Sequence, residues 1–162
     1  MSETLEVRIF DRLTVDWLTP SQKQVWKEIQ QFDGPPHRVI NVYGAEGTGK
    51  TLLGHLMQRL KYATYHVWPV MQKPLFSRLV VDDVVAERST TRNLRPLIEK
   101  YGIQQIIILS RSRADEKAMP AFELQVTEDD IEVLRANLYR HLQIEIPEGE
   151  YRNYKAALDI LS

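Results

Sequence analysis

The chain has 162 residues, 43% of them hydrophobic and 27% charged, which suits one globular domain with at most a small appended piece. Its 21 Lys and Arg against 22 Asp and Glu leave a formal charge of -1, so the global basic field of a polybasic nucleic-acid binder is excluded and only a local basic patch stays open. Without a cysteine there is no disulfide, thiolate metal site or cysteine nucleophile. The opening MSETLEVRIFDR has no basic start followed by an apolar run, and the longest apolar stretch, Ile106 to Leu109, is too short to span a bilayer. A soluble, cytoplasmic protein with no membrane contact is expected.

Leu5, Val7 and Ile9 alternate with Glu6 and Arg8, the period of a half-buried strand, which predicts an edge strand over 4–10. Thr19-Pro20 reads as an N-cap and first helical position; Val25, Trp26, Ile29 and Phe32 then share one helical face, and Asp33-Gly34-Pro35-Pro36 ends the helix. Residues 38–43 form a β-rich run that stops at Gly44, and Leu52, Leu53, Leu56, Met57 and Leu60 follow at helical spacing. Further strands are predicted at 65–68, at 79–81 running into Asp82-Asp83, at 105–110 and at 122–126, with a helix over 91–101 between the third and fourth. Thr127 and Asp130 resemble a capping box that opens a helix through Leu142, Pro147 breaks the pattern, and 150–162 make a final amphipathic helix. Strands alternating with helices imply an α/β fold with a five-stranded, mainly parallel sheet covered on both faces.

Residues Gly44-Ala45-Glu46-Gly47-Thr48-Gly49-Lys50-Thr51 match G-x-x-x-x-G-K-[ST] in full, between a predicted strand and a predicted helix that starts at Leu52. Glycines let successive backbone N–H groups converge on phosphate oxygens, and the helix N-terminus adds its partial positive charge. Lys50 would meet the β and γ phosphates, and Thr51 would offer its hydroxyl to Mg²⁺. The bland alternative is a glycine-rich turn with a chance lysine.

In a parallel sheet the C-terminal strand ends gather beside such a loop, so an acid that closes an apolar strand points at the metal. Asp82 fits the Mg²⁺ shell, through water, and Asp83 would polarise the attacking water. Ser110 closes the next strand and is a candidate contact for the γ phosphate or the water; Arg111 and Arg113 follow as candidate cations for the transferring group. Paired acids at a strand end also occur as plain turn residues, and loop arginines as solvated surface.

These motifs together resemble an AAA+ ATPase of the replication-initiator and helicase-loader kind, with the STAND signalling ATPases as near neighbours. The resemblance covers residues 18–160 and is carried by GAEGTGKT, RLVVDDV, the helix bearing Asn93-Leu94-Arg95, IIILSRSR and FELQVTEDDIEVLRANLYRHLQIEIPEG. It implies a three-layer P-loop NTPase: an N-terminal strand segment (1–17), an ATPase core (18–126) and a partial helical lid (127–162). Lys50 and Thr51 would match Walker A, Asp82 and Asp83 Walker B, and Ser110 the sensor-1 position. Three departures qualify what the resemblance implies. Asp83 stands where the family usually has Glu, one methylene longer. The stretch between Ser110 and Phe122 is short for the helix that normally presents an arginine finger, and the 162 residues do not reach the lid helix that carries a sensor-2 arginine. Slow hydrolysis, or a partner that supplies the missing groups, is the expectation. Leu18-Thr19-Pro20-Ser21-Gln22 also looks like the adenine-reading segment of superfamily 1 helicases, which makes Gln22 a candidate base contact.

His37, His55, His66 and His141 have no ligand spacing, and Trp17, Trp26 and Trp68 read as core, with Trp26 also able to border the base. Arg88, Arg92, Arg95, Arg111 and Arg113 make a candidate basic face, with a solvated surface as its bland counterpart. Three functions compete: an ATP-dependent switch with slow Mg²⁺-dependent hydrolysis, whose ATP or ADP state controls self-association or a protein partner; a P-loop small-molecule kinase; and a module that holds nucleotide without hydrolysis. No Asn-Lys-x-Asp run reads guanine.

Overall fold

The computed structural model describes residues 4–32, 39–85, 90–116 and 118–161. Five strands, β1 (Val39–Tyr43), β2 (Thr64–Val67), β3 (Arg78–Asp82), β4 (Gln105–Ser110) and β5 (Ala121–Glu123), form one sheet in the order β2-β3-β4-β1-β5. Every pairing is parallel, so the sheet goes beyond the mainly parallel expectation. The helices are α1 (Leu5–Asp11), α2 (Pro20–Gln31), α3 (Lys50–Arg59), α4 (Thr90–Tyr101), α5 (Glu128–Leu142) and α6 (Tyr154–Asp159).

Alternation along the strands divides the core. Ile40, Val42, Val80, Ile107 and Leu109 face one side, where Leu53, Leu56 and Met57 of α3 and Ile131, Leu134 and Leu138 of α5 close over them. Val39, Leu79, Val81, Ile106 and Ile108 face the other side, where Leu94 of α4 meets Ile103, Ala114 and Met119. Both faces of β3 and β4 are covered, which is why those strands are written as unbroken apolar runs. No helix lies between β4 and β5 among the described residues, as the short spacing there implies.

The N-terminal segment is a helix and not the predicted edge strand. Thr4 caps it, its hydroxyl accepting from the Val7 N–H at 3.4 Å, and Leu5, Ile9 and Phe10 pack on the main core while Val7 is left exposed. Leu5 and Ile9 are four apart, so the same letters that alternate also satisfy one helical face, and packing beside α3 decides between the two periods. The predicted strand 122–126 is shorter, at Ala121–Glu123, though the Leu124 N–H still donates to the Tyr43 carbonyl at 2.8 Å. The last helix is shorter than the expected 150–162: Asn153 caps it by accepting from the Ala156 N–H at 2.8 Å. Asp33 to Pro36, expected to end α2, lie outside the described residues, as do His37 and Arg88.

Residues 127–161, the expected partial lid, share the core cluster of the rest: Leu138, Leu142, Ile146, Tyr154 and Ala157 are all buried in it. Among the described residues no helix is long and apolar enough to cross a membrane.

Candidate nucleotide-binding site

β1 delivers the chain to Gly44, and α3 begins at Lys50. Between them Gly47 (φ +83°) and Gly49 (φ +86°) adopt left-handed conformations that side chains disfavour. A Cβ on Gly49 would also lie 2.3 Å from Gln22 Nε2. The loop therefore requires its glycines for conformation and for close approach. The Lys50 ammonium curls back into it, donating to the carbonyls of Gly44 (2.6 Å) and Ala45 (3.0 Å) and to Thr48 Oγ1 (3.4 Å). Burial pushes the Lys50 ammonium below the ordinary lysine value; Asp82 opposes that drop, Arg111 adds to it and Glu46 opposes it. A cation that burial disfavours and that borrows backbone carbonyls as partners gains from an anion placed beside it.

At the next residue, Thr51 Oγ1 donates to Asp82 Oδ2 at 2.8 Å. The Tyr65 hydroxyl of β2 donates to that same oxygen, and the Asp83 N–H donates to Asp82 Oδ1 at 2.8 Å. Burial, followed by the hydrogen bond to Asp82, drives the Tyr65 phenol well above its ordinary value, so it stays a donor. Asp83 is exposed at φ +60°, a left-handed position that Asp tolerates, and it turns the chain out of β3 beside the loop. Hard oxygen donors at Thr51 and Asp82 suit Mg²⁺, which binds few protein carboxylates and takes its remaining ligands from phosphate and water. Among the described residues no group of three or more His, Asp or Glu side chains forms a metal site of its own.

β4 lies between β3 and β1, so Ser110 ends its strand between the glycine loop and Asp82. Its hydroxyl is buried, accepting from Asn41 Nδ2 at 2.9 Å and donating to the Ser112 carbonyl at 2.7 Å. Arg111 is exposed, with its guanidinium 4.0 Å from Glu46 Oε2 across the loop, while Arg113 is solvated and away from the cleft. Arg92 and Arg95 are solvated on α4. Gln22 is wholly buried: its Oε1 accepts from the Thr19 N–H at 3.1 Å and its Nε2 donates to the Gly49 carbonyl at 3.1 Å, which gives it a bracing place behind the loop.

The C-terminal segment closes the same loop from the other side. Asn153 Nδ2 donates to the Glu46 carbonyl (3.3 Å), the Tyr154 N–H donates to the Gly47 carbonyl (3.0 Å), and the Tyr154 phenol sits 2.5 Å from Thr19 Oγ1. With α1 and α6 forming its rim, a cleft of about 880 Å³ runs from the loop past Leu52, Thr51 and Asp82 to Arg111, within the size range of small-molecule sites. It thus brings together Glu46, Gly47, Gly49, Lys50, Thr51, Leu52, Asp82, Asp83, Ser110 and Arg111, with Gln22 at its wall. Gly44, Ala45 and Thr48 serve as acceptors for Lys50 just behind it.

Sequence reasoning missed Tyr65, Asn41, Asn153 and Tyr154. Only Asn41 carries a local signal, a polar residue inside an apolar strand. One tryptophan expectation is corrected: Trp68, expected in the core, is 38% exposed just past the end of β2. Trp26 packs on the core as expected, edge-on against Tyr62 at 4.8 Å, and does not line the cleft. Trp17 is buried as expected and donates from Nε1 to the Arg12 carbonyl at 3.0 Å. His55 lies against the Tyr65 ring and His141 against that of Trp17.

No protein-family model and no curated protein matches the sequence. Among solved structures it is similar to AMPPCP-bound DnaA from Aquifex aeolicus, with a TM-score of 0.55 and 13% identity over 86% of this chain and 56% of that one. A DNA replication initiation factor gives 0.58 and 15% over 85% of this chain and 58% of that one. The replication initiator DnaA bound to AMPPCP and single-stranded DNA gives 0.53 and 15% over 85% and 58%. The chain spans a little over half the length of these structures. At such identities the likeness is one of fold: the five-stranded parallel sheet covered by helices on both faces is shared with these replication-initiator structures.

Proposed function

We propose that this chain is a Mg-ATP-binding switch, a slow ATPase whose nucleotide state controls self-association or the binding of a protein partner. The observation that carries the reading is the 2.8 Å approach of Thr51 Oγ1 to Asp82 Oδ2 beside a left-handed glycine loop that encloses the Lys50 ammonium. It unites an anion cradle, an ammonium and a hard-oxygen cation site at the carboxyl ends of interior strands.

In this reading the loop N–H groups and Lys50 bind the phosphates, Thr51 and Asp82 hold the cation, and Asp83 orients the water. Mg²⁺ supplies charge neutralisation on the phosphates when bound. Ser110 positions the end of β4, Arg111 is the cation nearest the loop that an anion would draw from Glu46, and Gln22 braces the loop. The single-methylene reach of Asp83 and the engaged hydroxyl of Ser110 support slow turnover; the same Ser110 bonds also favour the second reading, in which nucleotide is held without hydrolysis. A formal charge of -1 supplies no general attraction to a nucleic acid, so a protein surface is the favoured partner.

The test is calorimetric titration with ATP and ADP, with and without Mg²⁺, followed by size-exclusion and phosphate-release assays. Lys50→Ala is expected to weaken ATP by about ten- to a hundredfold, the worth of a charge-assisted contact. Asp82→Asn is expected to keep metal-free binding and lose the gain from Mg²⁺. ATP binding by Lys50→Ala equal to wild type overturns the site. Stoichiometric ATP retention with no phosphate release, with or without added partner, selects the non-hydrolytic reading.

A further inference from the structure

Asp82 has more hydrogen-bond donors than the cation site requires. Its Oδ1 accepts the Asp83 N–H at 2.8 Å, and its Oδ2 accepts both the Thr51 hydroxyl at 2.8 Å and the Tyr65 hydroxyl. The Tyr65 phenol is held from several directions. The Tyr65 N–H is tied to Gln58 Oε1 of α3 at 2.9 Å, and its ring lies on that of His55, with centroids 4.1 Å apart. His55 in turn lies 4.4 Å from Phe10 of α1. Gly54 is where the ring meets α3: a Cβ there would stand 2.8 Å from Tyr65 Cδ2, so no larger residue fits without moving the ring.

The two donors on Oδ2 differ in what a cation asks of them. Thr51 has a single hydroxyl hydrogen, which it gives to Asp82, and would have to meet a cation with a lone pair of the same oxygen, so its geometry serves two partners at once. The Tyr65 phenol faces Asp82 from the neighbouring strand, within hydrogen-bond reach of the Thr51 hydroxyl as well, and is not itself asked to meet the cation. We propose that Tyr65 is a positioning residue for divalent-cation binding: its hydroxyl holds the Asp82 carboxylate in one orientation whether or not Thr51 is engaged with the cation. The inference rests on the Mg-ATP reading above and extends it to a residue on β2 that no part of the glycine-loop pattern specifies.

Tyr65→Phe keeps the ring, its stacking and its fit to Gly54, and removes only the hydroxyl. Calorimetry with ATP in EDTA, repeated across a Mg²⁺ titration, separates cation handling from pocket shape, and Mn²⁺ paramagnetic resonance in the presence of ATP reads the cation directly. The expected result is unchanged metal-free ATP affinity and a Mg²⁺ midpoint raised about three- to tenfold, the effect of one hydrogen bond. In an Asp82→Asn background, Tyr65→Phe is expected to add no further shift, because the phenol acts through that carboxylate. A wild-type Mg²⁺ midpoint in Tyr65→Phe, or an affinity loss equal in EDTA and in Mg²⁺, overturns the positioning role while Mg-ATP binding by the wild type still stands. Wild-type protein whose ATP binding ignores Mg²⁺ overturns the role and the parent reading together.

Discussion

Asn41 is a polar residue inside an apolar strand, fully buried with both ends of its amide engaged. Its Nδ2 donates to the Ile108 carbonyl at 3.2 Å and to Ser110 Oγ at 2.9 Å, and its Oδ1 accepts the Ala114 N–H at 2.9 Å. Those partners lie on the neighbouring strand and the loop after it, where local periodicity carries no information. Asn41→Ala leaves the Ala114 N–H without that acceptor and Ser110 without a donor, so a loss of roughly 1–3 kcal/mol is expected from denaturant midpoints. Asn41→Ser, which can replace only part of the network, is expected to fall between the two. Stability unchanged in Asn41→Ala would mean that the amide does not hold the end of β4.

At the scale of elements, the capping box at the start of α5 was visible as Thr127 and Asp130, and the structure agrees: the Asp130 N–H meets Thr127 Oγ1, and Thr127 N–H donates to Asp130 Oδ2 at 2.8 Å. The same carboxylate also reaches the first turn of α2, accepting from the Ser21 N–H at 2.8 Å and the Ser21 hydroxyl at 2.5 Å. One buried Asp thus ties two helix starts together, and sequence spacing showed only one of them. Periodicity failed outright at α1, where a short run satisfied two periods. Burial works to raise the Asp130 carboxyl, but the hydrogen bonds from Ser21 and Thr127 outweigh it and hold the carboxyl below its usual value. A depressed folded value means that the unfolded chain binds the proton more readily. The stabilisation is therefore complete above the ordinary 3.8 and is lost as pH falls through the lowered folded value. Asp130→Asn is expected to reduce stability at pH 7 by roughly 1.5–3 kcal/mol, the worth of bonds to a charged acceptor. Its deficit relative to wild type is expected to hold down to the ordinary 3.8 and to shrink as the pH falls further. A constant deficit down to acid would mean that Asp130 does not carry charge-dependent stability.

Across the whole molecule the sheet order places the loop, Ser110 and Asp82 at the ends of three adjacent strands, β1, β4 and β3, while the chain's last helix returns to the loop from the far end of the sequence. The fold class and most strands could be anticipated because both faces of the sheet are buried and the apolar runs say so. The return of α6 could not, since neither Asn153 nor Tyr154 signals a partner about a hundred residues upstream. That return joins the regions expected to behave as core and lid. Gln22 bonds the Gly49 carbonyl from α2, Thr19 meets the Tyr154 phenol at 2.5 Å, and Tyr154 N–H bonds the Gly47 carbonyl at 3.0 Å. Loop geometry and α6 position are therefore one mechanical unit, and an effect of nucleotide on one implies an equal effect of the other on nucleotide affinity. Tyr154→Phe removes the Thr19 contact and keeps the ring against Gly49. It is expected to weaken ATP binding about two- to tenfold, the range for one lost hydrogen bond. In the wild type, ATP is expected to slow amide hydrogen exchange across 154–159, and in Tyr154→Phe that protection is expected to diminish in proportion to the affinity lost. If exchange in α6 ignores ATP in the wild type, the C-terminal helix is only packing against the loop, and a nucleotide-controlled surface must be sought elsewhere on the molecule.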